Sequence, residues 1–209
     1  MKFKSVFCAA LAAVTLTGAA SAATYSANNL GLIADNSTRT HLFDVTETGP
    51  ISNVEIQVDF STCGGSYSSA TGPCTSVGFP FNNELSLTLT SAAGTAIDLV
   101  TTGTYSGSAF GAFSVLFSDT AASTVSGTPT SGTFRPIDTL ADLIGENAFG
   151  QWSLSISDTF IFDPKRLDGF SLRLTSGDGS IAPVPLPAAL PLMLVGLGGL
   201  AALRRRRRG

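Results

Sequence analysis

Short apolar runs that alternate with polar residues recur through this chain, and they commit it to strands. Val54, Ile56, Val58 and Phe60 alternate with Glu55, Gln57 and Asp59; Leu85, Leu87 and Leu89 alternate with Ser86, Thr88 and Thr90; Ile97 and Leu99 enclose Asp98. The spacing returns at Phe113, Val115 and Phe117, at Trp152, Leu154 and Ile156, and at Phe170, Leu172 and Leu174. Successive side chains of a strand point to opposite faces, so each run has one apolar face to bury, and the Gly, Ser, Asn and Pro between runs supply turns. Two such sheets bury their apolar faces against each other. The expectation is an all-β, antiparallel β-sandwich, jelly-roll-like in topology, in which only residues 140–144 hint at a helical turn. Gly94-Thr95 suits the hairpin between two of the strands, because glycine accepts a positive φ. Trp152, the sole tryptophan, reads as core filling between the sheets.

Both ends of the chain have a different character. Lys2 and Lys4 precede an apolar segment at 6–16, and Ala20-Ser21-Ala22 has the small-x-small form accepted before a cleavage point between Ala22 and Ala23. Residues 1–22 therefore read as a secretory signal peptide, and Cys8 is lost with it. At the other end, Val184-Pro185-Leu186-Pro187-Ala188 leads into an uncharged stretch at 188–203 and then Arg204, Arg205, Arg206, Arg207 and Arg208. As a helix, 188–203 spans ~24 Å at 1.5 Å per residue, close to the hydrocarbon core of a bilayer once the preceding residues are counted. Clustered arginines favour the cytoplasmic side, which leaves the bulk of the chain outside.

This combination of short motif, single transmembrane segment and basic cluster resembles the VPLPA-CTERM sorting signal of Gram-negative bacteria, a variant of the PEP-CTERM tail. The resemblance implies export through the Sec pathway and transient anchoring in the inner membrane. It further implies processing near the motif by an exosortase and a final place at the cell surface or outside the cell. An ordinary tail anchor that nothing processes is the alternative. The organisation expected is 1–22 signal peptide, 23–182 secreted β-sandwich and 184–209 sorting signal.

Between the two addresses the charge balance changes. Five basic residues (Arg39, Arg135, Lys165, Arg166 and Arg173) face all fifteen acids, so the secreted part carries −10 where the whole chain carries −3. An acidic surface repels nucleic acid, and no basic stripe argues for a nucleic-acid partner. Cys63 and Cys74 enclose a Gly/Ser-rich loop, which in an oxidising compartment reads as a disulfide.

The stretch Glu84-Leu85-Ser86-Leu87-Thr88-Leu89-Thr90-Ser91-Ala92-Ala93-Gly94-Thr95 and the ordered steps that follow it carry a second resemblance. These steps are Phe117-Ser118-Asp119, Gly132-Thr133-Phe134-Arg135-Pro136, Gly145-Glu146-Asn147-Ala148, Gly150-Gln151-Trp152-Ser153-Leu154 and Leu167-Asp168-Gly169-Phe170-Ser171-Leu172. Together, over about 51–175, they resemble the P domain (P/Homo B domain), the galactose-binding-like β-sandwich attached to kexin-like and bacterial subtilisin proteases. The chain departs from that pattern at Glu84-Leu85, where the family has Asp-Leu, and at Ser91-Ala92, where it has Ser-Pro. Asp158, Asp163 and Asp168 lie in or beside the loop between the last two strand runs. With Asp119, they either offer oxygen ligands to Ca2+, as P domains can, or form turns and stay solvated. No other cofactor is expected.

The P-domain family is associated with serine endopeptidases, yet their catalytic unit is a separate domain. A Ser-His-Asp mechanism needs a base held against a positioned nucleophile, and the single histidine, His41, sits in an N-terminal segment between Asp35 and Asp44. It reads as an exposed or capped polar residue. No serine occupies a G-x-S-x-G turn. No catalytic residues are assigned. The function expected is that of a non-catalytic surface or biofilm-matrix protein that meets exopolysaccharide. The alternative is an accessory module for a separate secreted protease or its substrate.

Overall fold

The computed structural model describes residues 21–75 and 78–177. The Val184–Ala188 motif, the apolar tail, the arginine cluster and most of the signal peptide lie outside the described residues. The described residues belong to one compact unit.

Nine strands build two sheets: β1 (Ser21–Ala34), β2 (Ser37–Val45), β3 (Ile51–Thr62), β4 (Leu85–Thr90), β5 (Ala96–Val100), β6 (Gly111–Phe117), β7 (Gly132–Phe134), β8 (Gly150–Asp158) and β9 (Lys165–Ser176). One sheet has the order β1-β9-β3-β6-β7 and the other β2-β8-β4-β5. All pairings are antiparallel except β6 with β7, which run parallel. Both sheets are thus antiparallel-dominated, as an antiparallel β-sandwich requires, with one parallel edge pair. The chain leaves β6 at Phe117 and crosses back over residues 118–131 before entering β7, so it re-enters the edge in the same direction.

Every alternating run became a strand, and its apolar members face inward. Ile56, Val58, Phe60, Leu85, Leu87, Leu89, Leu99, Val115, Phe117, Leu154, Ile156 and Leu172 are fully buried in one core. Trp152 lies among them, and its indole Nε1 donates to the Ala148 carbonyl at 2.9 Å. The β4–β5 hairpin turns where expected. Gly94 adopts φ +92°, its N–H bonds the Ser91 carbonyl at 3.0 Å, and the Ser91 N–H bonds the Thr95 carbonyl at 2.9 Å. The helical turn is a 3₁₀ turn, Leu140–Leu143.

β1 and β2 lie N-terminal to the 51–175 stretch that carries the resemblance. Both β1 and β2 are edge strands that complete the two sheets, paired with β9 and β8. β1 is bulged: Asn28 lies opposite Gly169 and Leu32 opposite Leu167, so residues 29–31 oppose a single residue. Asn29 and Gly31 take the left-handed conformation there, at φ +56° and +62°. A Cβ on Gly31 would stand 2.7 Å from the Ala70 carbonyl oxygen, which makes glycine necessary where the Cys63–Cys74 loop packs on β1. The disulfide itself is formed, with 5.6 Å between its Cα atoms.

The strand registers define two poles. Ala34, Thr62, Gly111 and Lys165 align across the five-stranded sheet, while Ser37, Leu85 and Asp158 align across the other. These strand ends share one pole, the loop pole. Ser21, Ile51 and Ser176 align at the other, where the described chain both begins and ends. A β9 of twelve residues sets the poles ~40 Å apart.

Candidate functional site at the loop pole

Inward-facing positions normally hold apolar side chains, but the first inward position of β9 is Lys165, fully buried. An isolated buried ammonium is very costly, so its partners must be close. Its Nζ lies 2.7 Å from Asp163 Oδ2 and 3.6 Å from Asp158 Oδ2, and it also donates to the Asp163 carbonyl. Glu84 completes the cluster: carboxylate oxygens of Glu84, Asp158 and Asp163 lie within 4.8 Å of one another, and all three residues are buried.

Three carboxylates around one ammonium leave an excess of negative charge in a buried site. Burial first, and then the neighbouring Asp163, push the Glu84 carboxyl up to about 7; Lys165 opposes the rise and Asp158 adds to it. Burial likewise pushes Asp158 up to about 6, against the pull of Lys165 and of the Phe160 N–H. Glu84 Oε2 has no hydrogen-bond partner, which further disfavours its charged form.

Of the four carboxylates weighed as calcium ligands or turn formers, the structure brings Asp158 and Asp163 together and places the other two elsewhere. Asp119 caps the 3₁₀ turn, accepting from Thr139 Oγ1 at 2.8 Å, from the Leu140 N–H at 3.1 Å and from the Ala141 N–H at 2.8 Å. Asp168 faces outward on β9, where it accepts from Arg166 Nε and Ser61 Oγ. Sequence reading missed Glu84, which lies far from the β8–β9 loop in the chain, and Lys165, which supplies inside the cluster the positive charge a cation would bring. The signal for Lys165 was register, a charged residue at the start of a strand on its inward face; Glu84, in the 3₁₀ turn before β4, carried no such signal.

The cluster anchors the loops above it. Asp163 Oδ2 accepts from the Phe81 N–H at 2.6 Å, and Asp158 Oδ1 accepts from the Phe160 N–H at 3.4 Å. Asn82 binds the next loop through its N–H to the Gly107 carbonyl and its amide to the Ala109 carbonyl. The β1–β2 turn joins through the Asn36 N–H, which donates to the Phe160 carbonyl at 2.7 Å, and through Asp35 Oδ1, which accepts from the Phe162 N–H at 2.9 Å. On these loops stand Phe79, Phe81, Phe110, Phe160, Ile161 and Phe162, each more than half exposed. Phe162 holds φ +83°, a region that a bulky side chain adopts only under strain.

On the flank of this pole, a groove of about 390 Å³ opens on the outer face of the five-stranded sheet, lined by Asn29, Asp59, Ser114, Ser131, Arg166 and Asp168 among others. Arg166 is held there by Asp168, by the Gly72 carbonyl and by the Tyr67 ring, whose centroid lies 4.3 Å from its guanidinium carbon. The disulfide loop thus carries two of the groups that fix this arginine. His41, expected to be exposed or capped, is half-buried on the inner face of β2, its ring centroid 5.6 Å from that of Phe170 and 6.3 Å from that of Phe43. Among the described residues no helix is long and apolar enough to cross a membrane.

No family model matches this chain, and no curated protein does. Among solved structures, a serine protease of Aeromonas sobria in complex with the chaperone is similar at 12% identity and a TM-score of 0.46, over 78% of this chain and 28% of that one. The serine protease of Aeromonas sobria alone is similar at 12% identity and a TM-score of 0.45, over 77% and 28%. The chain spans less than a third of the length of these proteins.

Proposed function

We propose that this is an exported, non-catalytic β-sandwich of the P-domain type, delivered to the cell surface or extracellular matrix by an exosortase that recognises Val184–Ala188. The observation that carries this reading is the placement of the two ends. Ser21 pairs with Ser176 on neighbouring strands, so a leader and a tail both attach at the pole opposite the site. Each can be cut away without disturbing the core. Removal of residues 1–22 shortens β1 only by Ser21 and Ala22, which pair with Ser176 and Thr175. The formed disulfide suits an oxidising compartment. The strand order also supports the finer fold: with β7 set aside, β1-β9-β3-β6 facing β2-β8-β4-β5 is the order of an eight-stranded jelly roll.

Cell fractionation tests the proposal. Wild-type chain reaches the surface or medium, whereas replacing Pro185 and Pro187 with alanine extends the apolar helix and leaves precursor in the inner membrane, because proline blocks helix continuation. Equal surface delivery of both forms contradicts the role assigned to the motif.

A further inference from the structure

The buried cluster holds reactants that an ion pair alone does not use. Lys165 carries a primary amine closed off from solvent, and its Nζ meets two carboxylates, Asp163 Oδ2 at 2.7 Å and Asp158 Oδ2 at 3.6 Å. An amine and a carboxylic acid are the two partners of amide formation, and a buried site keeps scarce the water that would reverse it. Holding both in one fold replaces an encounter between molecules by a step within one molecule.

We propose that Lys165 Nζ condenses with the side chain of Asp158 to form an intramolecular isopeptide bond, with Glu84 as the proton carrier. Asp163 is nearer, but its Oδ2 accepts both the ammonium and the Phe81 N–H, which holds it as a carboxylate. A carboxylate is a poor target for a nucleophile and a good acceptor for the proton that the ammonium must lose. Asp158 differs. Its Oδ2 has no hydrogen-bond partner, and burial pushes its carboxyl up to about 6, so it is protonated far more often than an ordinary aspartate. Its Oδ1 accepts from the Phe160 N–H at 3.4 Å, a donor placed where negative charge develops as the carboxyl carbon is attacked. Glu84 lies in the same 4.8 Å cluster with its Oε2 unpartnered, and a carboxyl pushed up to about 7 both gives and takes a proton near neutral pH.

The step balances within the cluster. The ammonium passes one proton to Asp163, and the free amine attacks Asp158 Cγ, forming the Nζ–Cγ bond. Glu84 carries a proton from the nitrogen to Oδ2, and the Cγ–Oδ2 bond breaks as water leaves. Nothing is oxidised or reduced, and no further reactant is needed. The bond joins the end of β8 to the start of β9, and so one sheet to the other, and it closes the loop at 159–164. The ion pair is the reactant; chains in which the bond has not formed keep its titration and its contribution to stability.

Peptide mapping of the exported protein, denatured and digested with chymotrypsin, tests the proposal. Cleavage after Phe160 and Phe162 places Asp158 and Lys165 in separate peptides. The expected result is one linked species with the mass of the two peptides less one water, whose fragments locate the link at Asp158 and Lys165. Lys165→Arg keeps the positive charge in a guanidinium that stays protonated and is no nucleophile, and it yields two separate peptides. Glu84→Gln slows the appearance of the link, sampled at intervals after synthesis, by about tenfold or more. Circular dichroism shows whether each variant is folded, and the wild-type map decides the question if either is not. Two separate peptides from wild type overturn the proposal, as does a link at Asp163. Loss of water from Asp158 without a linked peptide also overturns it, because that is the mark of a succinimide. A link that forms equally fast in folded Glu84→Gln overturns the part given to Glu84.

Discussion

Lys165 places its ammonium 2.7 Å from Asp163 Oδ2 with neither side chain more than marginally exposed, and the same Asp163 oxygen accepts the Phe81 N–H. One buried ion pair thus ties the first residue of β9 to the loop before β4. Removing one partner of such a pair leaves an uncompensated charge, at a cost of about 3–5 kcal/mol. Lys165→Met is therefore expected to destabilise the domain by that amount in denaturant titration, and by more than Asp163→Asn, because it abandons several carboxylates at once. A Lys165→Met variant as stable as wild type contradicts the role given to this cluster.

The cluster also sets a pH dependence. Glu84 is raised from 4.5 to about 7 and Asp158 from 3.8 to about 6, so in this window the native state binds protons that the unfolded chain has already released. Their contribution is full below the unfolded values and is lost as pH rises through about 6 and then about 7. The melting temperature is expected to fall between pH 5 and pH 8. Glu84→Gln, which stays neutral throughout, flattens that fall. An unchanged slope in the variant assigns the dependence to other groups.

Much of the fold was legible because burial on one face writes itself as alternation. The inward sets of β3, β4, β8 and β9 are apolar without interruption over several residues. β1 and β2 escaped for physical reasons. As edge strands they bury little; β1 carries Ala, Ser and Asn and resets its alternation at the 29–31 bulge, while β2 turns His41 inward and leaves Leu42 57% exposed. The site was half legible. Asp158 and Asp163 are close in sequence, but Glu84 and Lys165 join them only through the pairing of β4 with β8 and of β9 with β3. Asp119 and Asp168 looked equivalent to them as loop or strand-end acids. Their work as a 3₁₀ cap and as the partner of Arg166 depends on neighbours that no spacing reveals.

Phe162 supplies a test of backbone strain. Its φ of +83° costs about 1–3 kcal/mol for a residue with a side chain, and glycine relieves it. Phe162→Gly is expected to raise stability by up to ~1 kcal/mol, after the loss from added freedom in the unfolded chain. A substantial loss of stability in this variant shows instead that the phenylalanine ring supports the loop.

The Cys63–Cys74 bridge closes the loop that carries Tyr67 and Gly72 onto Arg166. Its loss, in Cys63→Ser with Cys74→Ser, is expected to cost about 3 kcal/mol and to leave the sandwich folded, because the loop lies outside both sheets. Alkylation of native, unreduced protein is expected to label neither cysteine. Labelling of both removes the bridge from the account.

The central claim is that a folded domain is carried to the cell surface by a tail that is then removed. Intact-mass measurement of the surface-associated protein tests it most directly. The account expects an N-terminus at Ala23 and a C-terminus close to Val184–Ala188, with nothing beyond it. Mature protein recovered from the surface that still carries Arg204, Arg205, Arg206, Arg207 and Arg208 contradicts it, and makes the tail a permanent membrane anchor.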